Sequence, residues 1–374
     1  MSSRDSIIER VTVWHKVLPL THPYALSGGR LRVEALDSTI VRVECADGLS
    51  GWGEGCPWGH TYLPAFGPGL RAAIELLVPV LIGADARGID VLNRAMDVQL
   101  PGHLYAKSPL DIALWDIAAK RAGVPLYTLL GGADGDAVEI NSSISSGTPD
   151  EMIAHIQTAR DQGYRTHSAK IGGSDAALDI ARINAIDAFT QDDEHVTFDV
   201  NRAWMPATAI EVMNSVTTQE WFEQPCDTLT QCESVAHNTT QKIMLDECLH
   251  TFDDHLRAWR QAVCQGVKVK PNRLGGITKA RQVRDFGVSV GWQMHVEDLG
   301  GTVLADTAAM HLAWSTPAPN RLASWLSHAH LTDDYLPGQG ARAVGGHIQL
   351  APEPGLGIAP PEDWLGEPFA VHVR

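Results

Sequence analysis

Between residues 137 and 326 the chain repeats one pattern: a short apolar run, usually closed by a polar side chain, then a stretch of helical periodicity. The runs cover 137–144, 166–171, 195–200, 220–225, 242–247, 266–270, 290–295 and 321–326. Strand–helix alternation of this kind specifies a parallel sheet, and eight such strands predict a closed barrel. Six of the closing residues, Lys170, Asp199, Glu223, Asp246, Lys270 and His295, follow one another at 29, 24, 23, 24 and 25 residues. That is close to the roughly 30 residues of one strand–helix unit in a barrel. One side chain therefore recurs at the C-terminal tip of each successive strand, and in a parallel barrel those tips converge on one mouth. Between the runs, 176–190 places Ala176, Ile180 and Ile183 on one helical face, and 302–314 places Leu304, Ala308 and Leu312 on another.

Asp199, Glu223 and Asp246 come from three neighbouring units. Three carboxylates at one mouth repel one another unless something neutralises them. An all-oxygen donor set selects Mg²⁺, with Mn²⁺ as the alternative, over zinc. Pleating turns one of the adjacent Asp246 and Glu247 away, which makes Asp246 the ligand and leaves Glu247 behind it. Lys170 and Lys270 flank the trio, two units to either side of Glu223, so on a ring of eight they face each other. A nearby divalent cation disfavours a protonated amine and lowers its pKa, and Lys268, one layer below Lys270, adds to this. The same lysines could instead be salt-bridge partners of the acids. Two opposed bases beside a metal suit removal of a proton α to a carboxylate, the charge passing into an enediolate that the cation stabilises. The outcome is then epimerisation or anti elimination.

Residues 1 to about 130 read differently. The segments 11–20 and 36–55 alternate as an antiparallel sheet with a turn at Asp47-Gly48. Helical stretches follow at 71–83 and 108–123, the second with Leu110, Leu114, Ile117 and Ala118 on one face and Gly123 as its stop. A formal net charge of −16 argues against nucleic-acid or anionic-membrane partners, which need a basic surface. No apolar run reaches the roughly 20 residues of a membrane span, and no secretion signal opens the chain, so a cytoplasmic location is expected. The six cysteines show no CxxC spacing, which leaves buried reduced thiols.

At this point the residues resemble the enolase superfamily, in its mandelate racemase and muconate lactonizing branch. The likeness lies in GWGEG (Gly51–Gly55), ALWDIAAKRAGVPLYTLLGG (Ala113–Gly132), FDVNRAW (Phe198–Trp204), EQP (Glu223–Pro225), LDE (Leu245–Glu247), KVKPNRLGGIT (Lys268–Thr278) and PGLGI (Pro354–Ile358). It implies a modified (β/α)₇β TIM barrel (131–330), an N-terminal α+β capping domain (1–130) and a C-terminal segment (331–374) returning to the cap. It also implies Asp199, Glu223 and Asp246 as Mg²⁺ ligands and Lys170 with Lys270 as the acid/base pair. One departure stands out. The family's usual Lys-x-Lys on the second barrel strand reads Ser168-Ala169-Lys170 here, while Lys268 and Lys270 supply that spacing on the sixth. This argues against a dipeptide epimerase or a muconate cycloisomerase.

Within the superfamily, residues 23–31, 52–71, 99–109, 140–145, 164–173, 292–301 and 324–331 are similar to the cis-3-hydroxy-L-proline dehydratase family. That resemblance implies a small amino-acid substrate that loses water to give Δ1-pyrroline-2-carboxylate. In that substrate the hydroxyl is cis to the carboxylate, so the α-hydrogen lies on the opposite ring face, which suits one lysine on each side. Substrate contacts are expected from Tyr62 in a cap loop near Tyr24 and from Trp325 at the end of the eighth strand, whose indole face could take a ring ammonium; Glu297 or Asp298 could pair with the same ammonium. His295 closes the seventh strand, where related racemases keep a His–Asp dyad. With Lys270 at the partner position, His295 reads as a hydrogen-bonding or packing residue. The competing readings are a 2-epimerase of a proline derivative such as hydroxyproline betaine, an acid-sugar dehydratase, which would need the missing dyad, and a ligand-binding barrel without catalysis. Association of several copies of the chain is expected.

Overall fold

A computed structural model describes residues 5–26, 31–173, 175–349 and 352–374. Residues 27–30, part of the segment 23–31 singled out above, therefore lie outside the described residues. Strands β1 (Ile8–Leu26), β2 (Leu31–Cys45) and β3 (Ser50–Gly55) form an antiparallel meander. The expected turn joins β2 to β3, with Gly48 at φ +82°. The strand anticipated at 11–20 is longer at both ends, because β1 pairs with β2 along almost its whole length with irregularities beside Ile8 and between Pro19 and Tyr24.

After β4 (Val138–Glu139) come eight parallel strands: β5 (Asn141–Ile144), β6 (Thr166–Lys170), β7 (His195–Asp199), β8 (Trp221–Glu223), β9 (Lys242–Leu245), β10 (Gly266–Val269), β11 (Gln293–Val296) and β12 (Arg321–Ala323). Their spatial order is their chain order. The ring is brought together where the backbones of Asn141 and Glu139 bond to Ser324, each at 2.8 Å. Finally β13 (Ala343–Val344) pairs with β14 (His347–Ile348), which pairs with β4, and β15 (Ala370–Val373) lies antiparallel against β1 in the first sheet. The fold is a β/α barrel with an N-terminal α+β cap.

Two of the expected runs end differently. The seventh was placed at 290–295, but Val290 belongs to the helix Ile277–Val290, which Gly291 ends in the left-handed region at φ +77°. The strand therefore starts at Gln293, His295 pairs with Lys268 one layer down, and Glu297 is the residue that reaches the mouth. The eighth strand stops at Ala323, so Trp325 sits two residues beyond it. In the helix Ala176–Phe189 the buried face is Asp179, Arg182, Ile183 and Ile186, shifted from the predicted one because Asp179 bonds to Gly172, Arg182 and Trp204.

Cap and barrel share the helix Leu104–Ala122, which is buried nearly all round and not on one face alone. β3 packs against it so closely that a Cβ on Gly53 would lie 2.0 Å from the Pro109 carbonyl oxygen, and one on Gly51 2.1 Å from that of Ala113. That approach explains the glycines of the GWGEG segment. Between them and the barrel, the buried Glu54 accepts hydrogen bonds from Ser38 Oγ (2.5 Å), Thr302 N (2.9 Å), Thr302 Oγ1 (2.6 Å) and Ala305 N (3.1 Å). It thus caps the barrel helix Val303–Trp314 from across the domain boundary, where the helix dipole favours negative charge. All six cysteines are unpaired and all but Cys248 are buried. No helix among the described residues is long and apolar enough to cross a membrane.

Buried imidazoles, His311 and His255 among them, make stability depend on pH. His311 Nδ1 accepts from Tyr127 N at 3.2 Å, so its Nε2 donates to Leu356 O at 3.3 Å; burial pushes its pKa down to about 4, and that of His255 likewise. The unfolded chain takes up protons between pH 6.5 and 4 that the folded chain refuses, so stability falls as pH falls through that window. Urea unfolding across pH 6.5 to 4 should show a loss of about 3 kcal/mol for each of these imidazoles. The slope should be shallower in His311→Gln, and a slope unchanged by that substitution would contradict the assignment.

Candidate active site

The barrel's C-terminal mouth opens under the cap into a pocket. Lys170, Asp199, Glu223, Asp246, Lys270, Tyr62 and Trp325, the seven residues singled out from the sequence, all line it. Lys170, Asp199 and Glu223 sit side by side in register on β6, β7 and β8. Glu223 then pairs with Met244, a two-residue stagger that carries Asp246 past the end of β9. β6 and β10 are four strands apart in the ring, so the two lysines enter the pocket from opposite walls.

Burial and charge dominate the site. Asp199, Glu223 and Asp246 are 1–2% exposed. Lys170 pairs with Asp199, and Lys270 Nζ lies 2.9 Å from Asp246 Oδ2 and 3.5 Å from Glu297 Oε1. Lys268 Nζ, beneath them, is 3.2 Å from Glu223 Oε2, 3.3 Å from Glu297 Oε1 and 3.2 Å from His295 Nδ1. Arg273, wholly buried, holds Asp246 Oδ1. Glu247 accepts from Asn201 Nδ2 at 3.2 Å, and the same amide reaches Asp199 at 3.2 Å.

The ionisation pattern follows. Burial alone would push the Lys170 amine down, but Asp199, Tyr24 and Glu223 outweigh it and hold the amine well above the lysine range. Lys268 is held up against burial by Glu223 and Glu297, and Lys270 by Asp246 and Glu297. The expected lowering belongs to a cation-loaded site, whereas here carboxylates touch the amines directly and hold them up. Burial raises Glu223 well above the carboxylate range and Asp199 adds to it; burial and Asp246 take Glu247 up to about 7. Burial also works on Asp246, but Lys270, Arg273 and Lys268 overcome it and hold that acid far below its usual range.

Among the described residues no group of three His, Cys, Asp or Glu side chains stands ready to hold a metal, because the oxygens of Asp199 and Asp246 are turned onto Lys170, Lys270 and Arg273. The donor chemistry still fits a hard divalent cation. Three acids on consecutive strands open to one pocket, and Glu223 Oε2 is buried without an aligned hydrogen bond.

Tyr62 does more than close the lid: its hydroxyl lies 3.4 Å from Asp246 Oδ2. Trp325 donates from Nε1 to Ser143 Oγ at 2.9 Å. His295 faces Asn141 and Lys268 through Nδ1 and does not line the pocket; burial, then Lys268 and Lys270, keep its imidazole neutral. Sequence reasoning missed Arg273, Asn201, Trp58 and Ser143. Arg273 carries a readable signal, because Pro271 opens a helical turn just after Lys270 and turns the side chain two residues on back over the strand end. Asn201 and Arg202 adopt φ +43° and +67°, a strained pair that bends the chain back over Asp199.

Comparison with known proteins matches residues 8–131 to the mandelate racemase / muconate lactonizing enzyme N-terminal domain and residues 151–364 to the enolase C-terminal domain-like family. The chain belongs to the mandelate racemase/muconate lactonizing enzyme family of the enolase superfamily. It is an enzyme of that family. It is 37% identical to cis-3-hydroxy-L-proline dehydratase of Roseibium aggregatum, over 98% of this chain and 99% of that one. A crystal structure of an enolase superfamily member from Roseovarius nubinhibens ISM complexed with magnesium is 61% identical, with a TM-score of 0.95 over 98% of this chain and 99% of that one. L-Ala-D/L-Glu epimerase of Bacillus subtilis is 29% identical over 94% of this chain and 96% of its own.

Among the described residues Lys268 is the one cation that pairs with both Glu223 and Glu297. Replacing it by Met would leave two buried acids undercompensated, at an expected cost of about 3–5 kcal/mol. Chemical denaturation should show that loss, and adding Glu297→Gln should restore part of it. Unchanged stability in the single variant would mean the acids are already protonated.

Proposed function

We propose that the enzyme is a lyase that dehydrates cis-3-hydroxy-L-proline to Δ1-pyrroline-2-carboxylate. The observation that carries this reading is the entry of Lys170 and Lys270 from opposite walls into a pocket that holds three carboxylates. The similarity to the Roseibium aggregatum dehydratase supports the substrate.

Asp199, Glu223 and Asp246 would hold Mg²⁺, or Mn²⁺, and a cation there would stabilise negative charge developing on the substrate carboxylate. Lys170, Lys268, Lys270, Arg202 and Arg273 face Asp199, Glu223, Asp246, Glu247 and Glu297, five charges of each sign when all are ionised. One lysine, as the free amine, takes the α-proton while the opposite ammonium gives its proton to the departing hydroxyl. The Cα–H and C3–O bonds break, the Cα=C3 bond forms, and the enamine tautomerises to the pyrroline. Tyr62 would orient Asp246, and Trp325 would receive the ring ammonium on its indole face. The substrate is a small molecule and needs no nucleic-acid or membrane surface.

A second reading, 2-epimerisation of a proline derivative, draws on the epimerase relative and on the same two lysines. Incubation with cis-3-hydroxy-L-proline and Mg²⁺ should give a product that colours with o-aminobenzaldehyde. Deuterium entering Cα in D₂O without loss of water would favour the epimerase instead. Lys170→Ala and Lys270→Ala should each lower dehydration by about 10³-fold or more while the circular dichroism stays unchanged. Near-full turnover in either variant would rule out the two-lysine scheme.

A further inference from the structure

The proposed ammonium platform has a back as well as a front. The Trp325 ring stacks on His330 at 5.3 Å between centroids and 27° between planes. Tyr24 meets the same imidazole edge-on at 5.3 Å and 87°, and Trp58 packs against both Tyr24 (5.2 Å) and Trp325 (5.9 Å). The indole edge is pinned by its bond to Ser143 Oγ, which the Tyr24 hydroxyl also reaches at 3.2 Å. His330 is absent from the lining of the reaction pocket and instead lines two outer cavities, so it stands on the far side of Trp325.

We propose that His330 is a positioning residue for recognition of the substrate's ring ammonium: it backs the Trp325 indole from outside the pocket and leaves the opposite face to the ligand. This rests on the reading of Trp325 given above. The imidazole is built in place. It closes the turn His328–His330, and that turn is anchored on Asp306, a buried acid of the helix Val303–Trp314. Asp306 accepts from His328 N at 2.9 Å and Ser327 Oγ at 3.2 Å and pairs with His328 Nδ1 at 2.6 Å. Burial takes the His330 pKa down to about 4, Asp306 opposing and His328 and Lys170 adding. A neutral ring behind the indole leaves its π density to the ligand, whereas a cationic ring would compete for it.

The test compares two non-reacting ligands of the magnesium-loaded enzyme. L-Proline carries the ring ammonium, and tetrahydrofuran-2-carboxylate has an oxygen in its place. Inhibition constants for both are measured in the wild type, His330→Ala and His330→Phe. Each variant is read as the ratio of the two constants, so effects common to both ligands cancel and the ammonium preference remains. The wild type should prefer L-proline by roughly tenfold or more. His330→Ala should lose most of that preference, and His330→Phe, which keeps a stacked ring, should retain it. A purely structural role would weaken both ligands alike and leave the ratio unmoved. The inference is overturned if His330→Ala keeps the preference, or if His330→Phe loses it as fully as His330→Ala does. No preference in the wild type would overturn the inference together with the platform reading, whereas the dehydration assay tests the reaction itself.

Discussion

Charge held out of water is the constraint on which the rest of this structure depends. Five cations and five acids share the barrel mouth with little solvent. In such surroundings an unpaired ion costs several kcal/mol, and a pair persists only when its geometry and hydrogen bonds are good. Each strand tip is therefore answered by another: Lys170 by Asp199, Lys270 by Asp246, Lys268 by Glu223 and Glu297. Such a network adds little to stability compared with an apolar core of the same volume. What it supplies is a set of charges fixed in direction and poised to be redistributed when ligands bind, which is the electrostatic preorganisation that proton abstraction next to a carboxylate requires.

The cap serves this arrangement. Glu54 fastens β3 to the first turn of the barrel helix Val303–Trp314, and the same helix carries Asp306, which anchors the turn bearing His330. On the other side β1 reaches down to the loop after β12, where Thr21 Oγ1 donates to Leu331 O at 3.0 Å. Tyr24 and Trp58 from the cap then close against Trp325 from the barrel. The acid–amine floor belongs to the barrel and the aromatic wall to both parts, so reaction chemistry and substrate choice rest on different elements.

Periodicity made the barrel legible. A polar residue about every 24 positions marked the strand ends, and Lys170, Asp199, Glu223, Asp246 and Lys270 all come to one mouth as that spacing requires. His295 did not, because the run was counted from Val290, a residue that the helix before β11 claims and Gly291 closes off. One layer of stagger then exchanges a buried imidazole for Glu297. Ser143 and His330 were illegible for another reason: their roles come from contacts across 182 and 5 residues of chain, and no local pattern reports a ring stacked behind another ring. Spacing gives the neighbours of a side chain but not which of them it touches, so the direct pairing of Lys170 with Asp199 and of Lys270 with Asp246 was not readable from it.

A crystal structure of the enzyme with Mg²⁺ and L-proline tests the central claim most directly. Asp199, Glu223 and Asp246 should ligate the cation, and the Nζ atoms of Lys170 and Lys270 should lie on opposite faces of the proline ring near Cα, about 3–3.5 Å from the atoms they serve. Both amines on one face of the ring, or a cation held by other side chains, would contradict it.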